Sequence, residues 1–261
     1  MHPWDSSPHN PQNLTLVADA RLSTPDYVND QIWELSIGNS EPPTICLQTT
    51  FGLRALGIRL FPRFTCGAHA LSHPGQFHTP PRLVACYPNY LALACAPFEG
   101  IEANLEYWVL DSQTVTGQIH IHNNGPEAKN LLFEWCVVLN PLETGERMAP
   151  AQIRRTLVLQ GKTGDLSPVC FVTGGPQAGS GIFPSLSHPI LLQPGESRSF
   201  QWALATLSSP EDSFERARQA AQRPWAAEIT HIEMLNQSQQ LEFHTGNPAW
   251  DTALALAQRT A

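Results

Sequence analysis

The sequence predicts a mainly β chain: a large sandwich of two antiparallel sheets, a supersandwich, with linker helices at its carboxyl-terminal side. Three observations carry this. Short segments alternate apolar and polar residues over most of the first 208 positions. Twenty-three prolines and 17 glycines punctuate them, and only 15% of residues are charged, too few for a protein of long solvated helices. With 261 residues, 42% of them apolar, the chain can bury a continuous core.

Residues 1–13, MHPWDSSPHNPQN, offer little to bury and are expected to form a flexible arm. A sandwich domain is expected over 14–208. In QIWELSI, Trp33, Leu35 and Ile37 share a face; in TICLQTT, Ile45, Leu47 and Thr49 do, and GNSEPP supplies the turn between them. NLEYWVL aligns Leu105, Tyr107 and Val109. After DSQT, GQIHIHNNG points Ile119 and Ile121 inward and Gln118, His120 and His122 outward, which predicts two neighbouring antiparallel strands. LLFEWCVVL is apolar on both faces around a single Glu134 and reads as a central strand. RTLVLQ, PVCFVTG, PILLQPGES and SFQWALATL repeat the alternation, with Pro194 and Gly195 forming a turn. About a dozen strands with no helical period between them are most simply buried as two packed sheets.

The period changes at Ser209. SSPEDSFERARQAAQRPW supplies Ser209 as a cap, Pro210 in the first turn, Glu211 and Asp212 at the positive end of the helix, and Phe214, Ala217 and Ala221 on one stripe. A second short helix is expected from Pro224 to about Leu235 and an extended piece at QLEFH, which makes 209–246 a linker. In TGNPAWDTALALAQRTA, Asn247 caps a further helix, Pro248 suits its first turn, and Trp250, Leu254 and Ala257 recur at helical spacing. No Gly, Asn or Pro stop signal comes after them, so 247–261 is expected to open a longer helical unit.

A net charge of -8 speaks against nucleic-acid and anionic-membrane partners, which require clustered Lys and Arg. Cysteines at 46, 66, 86, 95, 136 and 170 include no C-x-x-C pair, which predicts buried free thiols and no zinc site. The start has no secretory leader and no stretch approaches the roughly 20 apolar residues of a membrane span, so a cytoplasmic location is expected. No dinucleotide or phosphate-loop pattern occurs, and no cofactor is expected.

Glycosidase chemistry needs two suitably spaced carboxyl groups. Glu34, Glu102, Glu106 and Glu134 are the strand-borne acids, and outward or hydrogen-bonded structural roles are the expectation for them. His69, His73 and His78, or His120 and His122, offer metal-ligand chemistry, but no Cys or acid stands at ligand spacing beside them. GGPQAGSGIFPSLS lacks a nucleophile elbow and reads as a Gly- and Pro-rich connection able to reach a neighbour. TTFGLRALGIRLFPRF concentrates Arg54, Arg59 and Arg63 in a chain with only 15 basic residues. Those arginines suit either sugar hydroxyls and the carboxylates of an adjoining domain, or internal ion pairs.

YVNDQIWELSIGN, TTFGLRALGIRLFPRF, PGESRSFQWALATLSSPEDSFERARQ, RPWAAEI and above all TGNPAWDTALALAQRTA resemble the amino-terminal β-sandwich of bacterial glycoside hydrolases related to glycogen-debranching amylo-α-1,6-glucosidases. The resemblance runs from about residue 25 to the end. It implies a sandwich that passes through linker helices into a helical toroid, with the catalytic carboxylates in the toroid beyond Ala261 and 247–261 as its truncated first helix. No catalytic residue carries over to this chain. The implied role is a non-catalytic accessory domain of a carbohydrate-metabolising hydrolase. Its partners are then the downstream catalytic domain of the same polypeptide and that enzyme's oligo- or polysaccharide substrate, with Arg54, Arg59, Arg63 and Trp250 as candidate sugar or inter-domain contacts. The alternative is a free-standing carbohydrate-binding module, which calls for a row of exposed aromatics; an intact small enzyme is a third reading.

Overall fold

A computed structural model describes residues 4–5, 13–24, 26, 29, 31–237, 244–247, 249–251 and 253–254. Its strands, in chain order, begin with β1 (Trp4–Asp5), β2 (Asn13–Leu16), β3 (Trp33–Ile37), β4 (Ile45–Thr49), β5 (Gly57–Cys66) and β6 (His69–Leu71). After a single 3-10 turn at Pro74–Gln76 come β7 (Thr79–Cys86), β8 (Tyr90–Phe98), β9 (Ile101–Asp111), β10 (Thr114–Asn123) and β11 (Lys129–Asn140). Next are β12 (Glu146–Ile153), β13 (Thr156–Lys162), β14 (Ser167–Val172), β15 (Gln177–Ala178), β16 (Ser185–Leu192) and β17 (Ser197–Leu207), and then helices α1 (Pro210–Ala221) and α2 (Trp225–Gln237).

The strands form two sheets. A nine-stranded sheet runs β1-β7-β8-β9-β10-β17-β14-β13-β12. An eight-stranded sheet runs β15-β16-β11-β5-β4-β3-β2, with β6 also paired to β5. Every strand pair is antiparallel, and β11 lies between β5 and β16, as its two apolar faces require. Within the expected arm, Trp4 and Asp5 pair with Leu83 and Arg82, and Asn13 opens β2. Backbone pairing needs no apolar side chain, so polar residues can extend a sheet edge.

Alternation places the predicted inward residues in one core between the sheets. Trp33, Leu35, Ile45, Leu47, Leu105, Tyr107, Ile119 and Trp135 all belong to it. Tyr107, Trp135 and Trp202 form its aromatic centre, with the two indoles stacked at 4.4 Å. Both helices pack on the outer face of the nine-stranded sheet. The Ser209 hydroxyl accepts from the Asp212 N–H at 3.1 Å and caps α1. Phe214, Ala217, Ala220 and Ala221 then bury against Val158, Val169, Phe171, Ala203 and Ala205. In α2, Trp225, Ile229 and Ile232 cover Tyr90, Ala92 and Trp108. Most of QLEFH lies outside the described residues. Among the described residues, no helix is long and apolar enough to cross a membrane.

All six cysteines are free, and five are buried. Burial pushes the Cys46 thiol up to about 11, Cys95 up to about 12, and Cys136 and Cys170 higher still, so the reactive thiolates are scarce at neutral pH. Titration of the unfolded protein without reductant is therefore expected to find six thiols, and in the native protein Cys46, Cys95, Cys136 and Cys170 are expected to react slowly; recovery of only two or four on unfolding would contradict this.

His188 is buried and stacks on Phe200 at 4.1 Å and on Phe133 at 6.4 Å. Desolvation lowers its pKa from 6.5 to about 4. Between those values the unfolded chain binds the proton and the native ring does not, so His188 favours folding fully above pH 6.5 and progressively less as pH falls towards 4. Urea denaturation at pH 7 and pH 5 should show a loss of stability that His188→Leu reduces; an equal loss in the variant would contradict it.

Candidate functional site

The four strand-borne acids have partners. The Gln48 amide donates to the Glu34 carboxylate at 3.1 Å, and the Asn124 amide donates to Glu102 at 2.7 Å. Glu106 accepts from the Tyr90 hydroxyl, from Trp225 Nε1 at 2.8 Å and from the Gln118 amide at 3.4 Å. Glu134, 2% exposed, accepts from Arg63 Nη1 at 2.9 Å and from the Ser185 hydroxyl at 3.1 Å. Burial and the adjacent Glu106 carboxylate both raise the Tyr90 pKa, so the phenol stays a donor.

These four acids are also spaced more widely than a glycosidase pair. Glu102 and Glu106 share a face of β9 four residues apart, roughly 13 Å along the strand. Glu34 and Glu134 lie on the outer face of the eight-stranded sheet, three strands apart and offset by four residues through the Glu34–Gln48–Arg59–Val138 register. That is roughly 14 Å across and 13 Å along. The remaining combinations sit on opposite outer faces, with the sandwich between them. Glycoside hydrolysis uses carboxyl groups about 5 to 9.5 Å apart.

The arginines divide by setting. Arg63 takes the internal ion pair with Glu134. The segment 179–184 folds back over this pair instead of only reaching outward: a Cβ on Gly181 would stand 2.9 Å from Arg63 Nη1, and Phe183 packs edge-on against Phe61 at 5.2 Å. Ile182 stays exposed beyond it. Arg54 sits in the turn before β5, where Nε donates to the Phe51 carbonyl at 3.0 Å and Nη1 to Asn29 Oδ1 at 2.8 Å, with Asp165 at 3.9 Å. That turn carries positive φ at Phe51, Gly52 and Leu53, a strained geometry that holds Leu53 out at 82% exposure. Arg59 faces out beside Glu34 and Gln48 and lines a shallow groove of 290 Å³ with exposed Ile32 and Leu56 at its edge. Arg59 and Arg63 therefore share one sheet face, and Arg54 belongs to the adjoining turn.

Trp250 is 66% exposed, on a short helical stretch where the Ala249 N–H donates to Asn247 Oδ1 at 3.0 Å, the expected cap. Trp33, Trp108, Trp135, Trp202 and Trp225 are all buried, so the described residues present no row of exposed indoles. Among the described residues no cluster of three or more His, Cys, Asp or Glu could hold a metal. His73 caps the 3-10 turn through Gly75, and His120 and His122 bond Ser199 and Ser197 at 2.9 and 2.8 Å. Sequence reasoning missed a groove of 410 Å³ between α2 and the outer face of the nine-stranded sheet, lined by Tyr90, Asn104, Glu106, Gln118, His120 and Glu233 among others. The outward set Gln118, His120, His122 was its only local signal; the wall on α2 comes from tertiary packing.

No protein-family model and no curated protein matches the chain. Among solved structures, a bacterial glucoamylase complexed with acarbose superposes with a TM-score of 0.62 at 7% identity, over 94% of this chain and 40% of that one. The Slr1438 protein of Synechocystis sp. PCC 6803 (TM-score 0.47, 12% identity, 76% of this chain and 96% of that one) is more loosely similar. So is a galactose mutarotase related enzyme from Lactobacillus acidophilus (0.42, 5%, 76% and 99%). Those two likenesses are too loose to bear on the role of this chain. The chain spans less than half of the glucoamylase's length, and at this identity the likeness shows the fold alone.

Proposed function

We propose that this chain is a non-catalytic sandwich domain of a carbohydrate-cleaving enzyme of the glycoside hydrolase, debranching-like type, supporting a helical catalytic domain downstream. The observation that carries the reading is the superposition of 94% of the chain on 40% of a bacterial glucoamylase. The engaged and widely spaced strand acids Glu34, Glu102, Glu106 and Glu134 support it, because no two of them stand at the working separation of an acid and a base. The turn at 51–53, braced by Arg54 and presenting Leu53 next to Leu56, Ile32 and Arg59, is the loop best suited to meet that domain or edge its cleft. Burial of five tryptophans favours this role over a free-standing carbohydrate-binding module.

Trp250 belongs, on this reading, to the neighbouring helical unit, whose contact would cover it. Deleting 247–261 should leave the sandwich melting within a few degrees of the parent chain and reduce self-association in sedimentation, since it removes the exposed apolar surface of Trp250. A fall in melting temperature of about 8 °C or more, equivalent to several kcal/mol at this size, would make the segment an integral part of the sandwich and contradict the reading.

A further inference from the structure

The outward face of β8, β9, β10 and β17 changes character along its length. One row reads Tyr90, Trp108, Thr116 and Ala203 and is covered by helices. The next rows read Glu106, Gln118, Gln201; then Asn104, His120, Ser199; then Glu102, His122, Ser197. Three adjacent strands thus present an unbroken polar grid of roughly 10 by 13 Å, with carboxylates, amides, imidazoles and hydroxyls and no Lys or Arg. Beside it, β8 carries only Ala92 and Ala94, so the sheet surface is low there, and Ile229 and Glu233 of α2 raise a wall along one side. The result is the 410 Å³ groove, of a size that holds small ligands.

From this we infer that the groove binds a neutral saccharide, which enters against Ala92 and hydrogen-bonds to Asn104, Gln118 and His120. A sugar hydroxyl both donates and accepts, and the grid offers both kinds of group within one ligand's span. His120 is oriented by Ser199, and Gln118 by Glu106, which Tyr90 and Trp225 hold in turn; these contacts fix the polar atoms before a ligand arrives. Glu102, Glu106 and Glu233 outnumber the nearby cation Arg82, on β7 beyond Ala94, and disfavour an anionic ligand. The alanine floor and absent indole platform make this a weak site that reads hydroxyl geometry. The inference rests on the carbohydrate setting of the proposed function but requires no catalysis.

Calorimetric titration of the full chain with maltotriose tests it, with glucuronate as the anionic probe and product analysis of the same samples. Saturable maltotriose binding in the millimolar range is expected, with at least tenfold weaker glucuronate binding. Asn104→Leu and His120→Leu should each weaken maltotriose binding at least tenfold while leaving the melting temperature unchanged. No saturable binding, a preference for glucuronate, or undiminished binding by both folded variants would overturn the inference and leave the non-catalytic role intact. Cleavage of maltotriose in those samples would instead overturn the non-catalytic role, and the binding inference would stand if the variants lose affinity.

Discussion

Replacing Arg63 with alanine is expected to destabilise the protein by about 3 kcal/mol, more than most surface changes, although the arginine is partly exposed. Its partner decides the effect. Glu134 is 2% exposed, in a strand flanked on both sides, and without Arg63 it keeps only the Ser185 hydroxyl as a donor. Removing one member of a buried pair typically costs about 3–5 kcal/mol, because the other charge stays desolvated and uncompensated. Water entering where the guanidinium stood keeps the loss near the lower end. Replacing both partners with methionine should restore most of the stability, since no charge is then stranded. Urea midpoints for the single and double variants check this; a single-variant loss below about 1 kcal/mol would mean that the pair is solvated.

Trp202→Ala is expected to cost about 3–5 kcal/mol, the usual range for deleting a buried Trp side chain. Its indole stacks on Trp135 at 4.4 Å, meets Tyr107 edge-on at 5.9 Å, and lies where a Cβ on Gly117 would approach within 2.5 Å. Gly117 is thus the notch in β10 that lets the indole lie flat on the strand, and no neighbour can move in to fill the space. Trp202→Phe should recover about half of the loss. If Trp202→Ala changed the urea midpoint as little as an exposed substitution, the aromatic centre would not be a packed core.

Much of this fold is legible in the sequence because alternation is a local signal. Leu105, Tyr107 and Val109, and Ile119 and Ile121, face the interior as their spacing requires, and β9 and β10 do pair. Ser209 marks the start of α1 because a cap involves only the next three residues. Short strands are harder to see: β6, β12 and β15 each hold to one neighbouring strand and stay largely exposed, so their own residues show little alternation. The site is less legible still. Arg63 and Glu134 are 71 residues apart and Trp225 and Glu106 are 119 apart, so nothing near either residue announces the contact. The same holds for the groove, whose polar grid exists only once the register of three strands is fixed.

On the proposed reading, Glu106 serves as a hydrogen-bonded tie between the sheet and α2. The most direct test is the turnover of maltooligosaccharides and isomaltose by the purified chain, assayed beside Glu106→Gln. No turnover by either protein is expected, with Glu106→Gln melting lower than the parent because it weakens the bonds to Tyr90 and Trp225. Measurable turnover by the parent chain, abolished in a folded Glu106→Gln, would contradict the non-catalytic role.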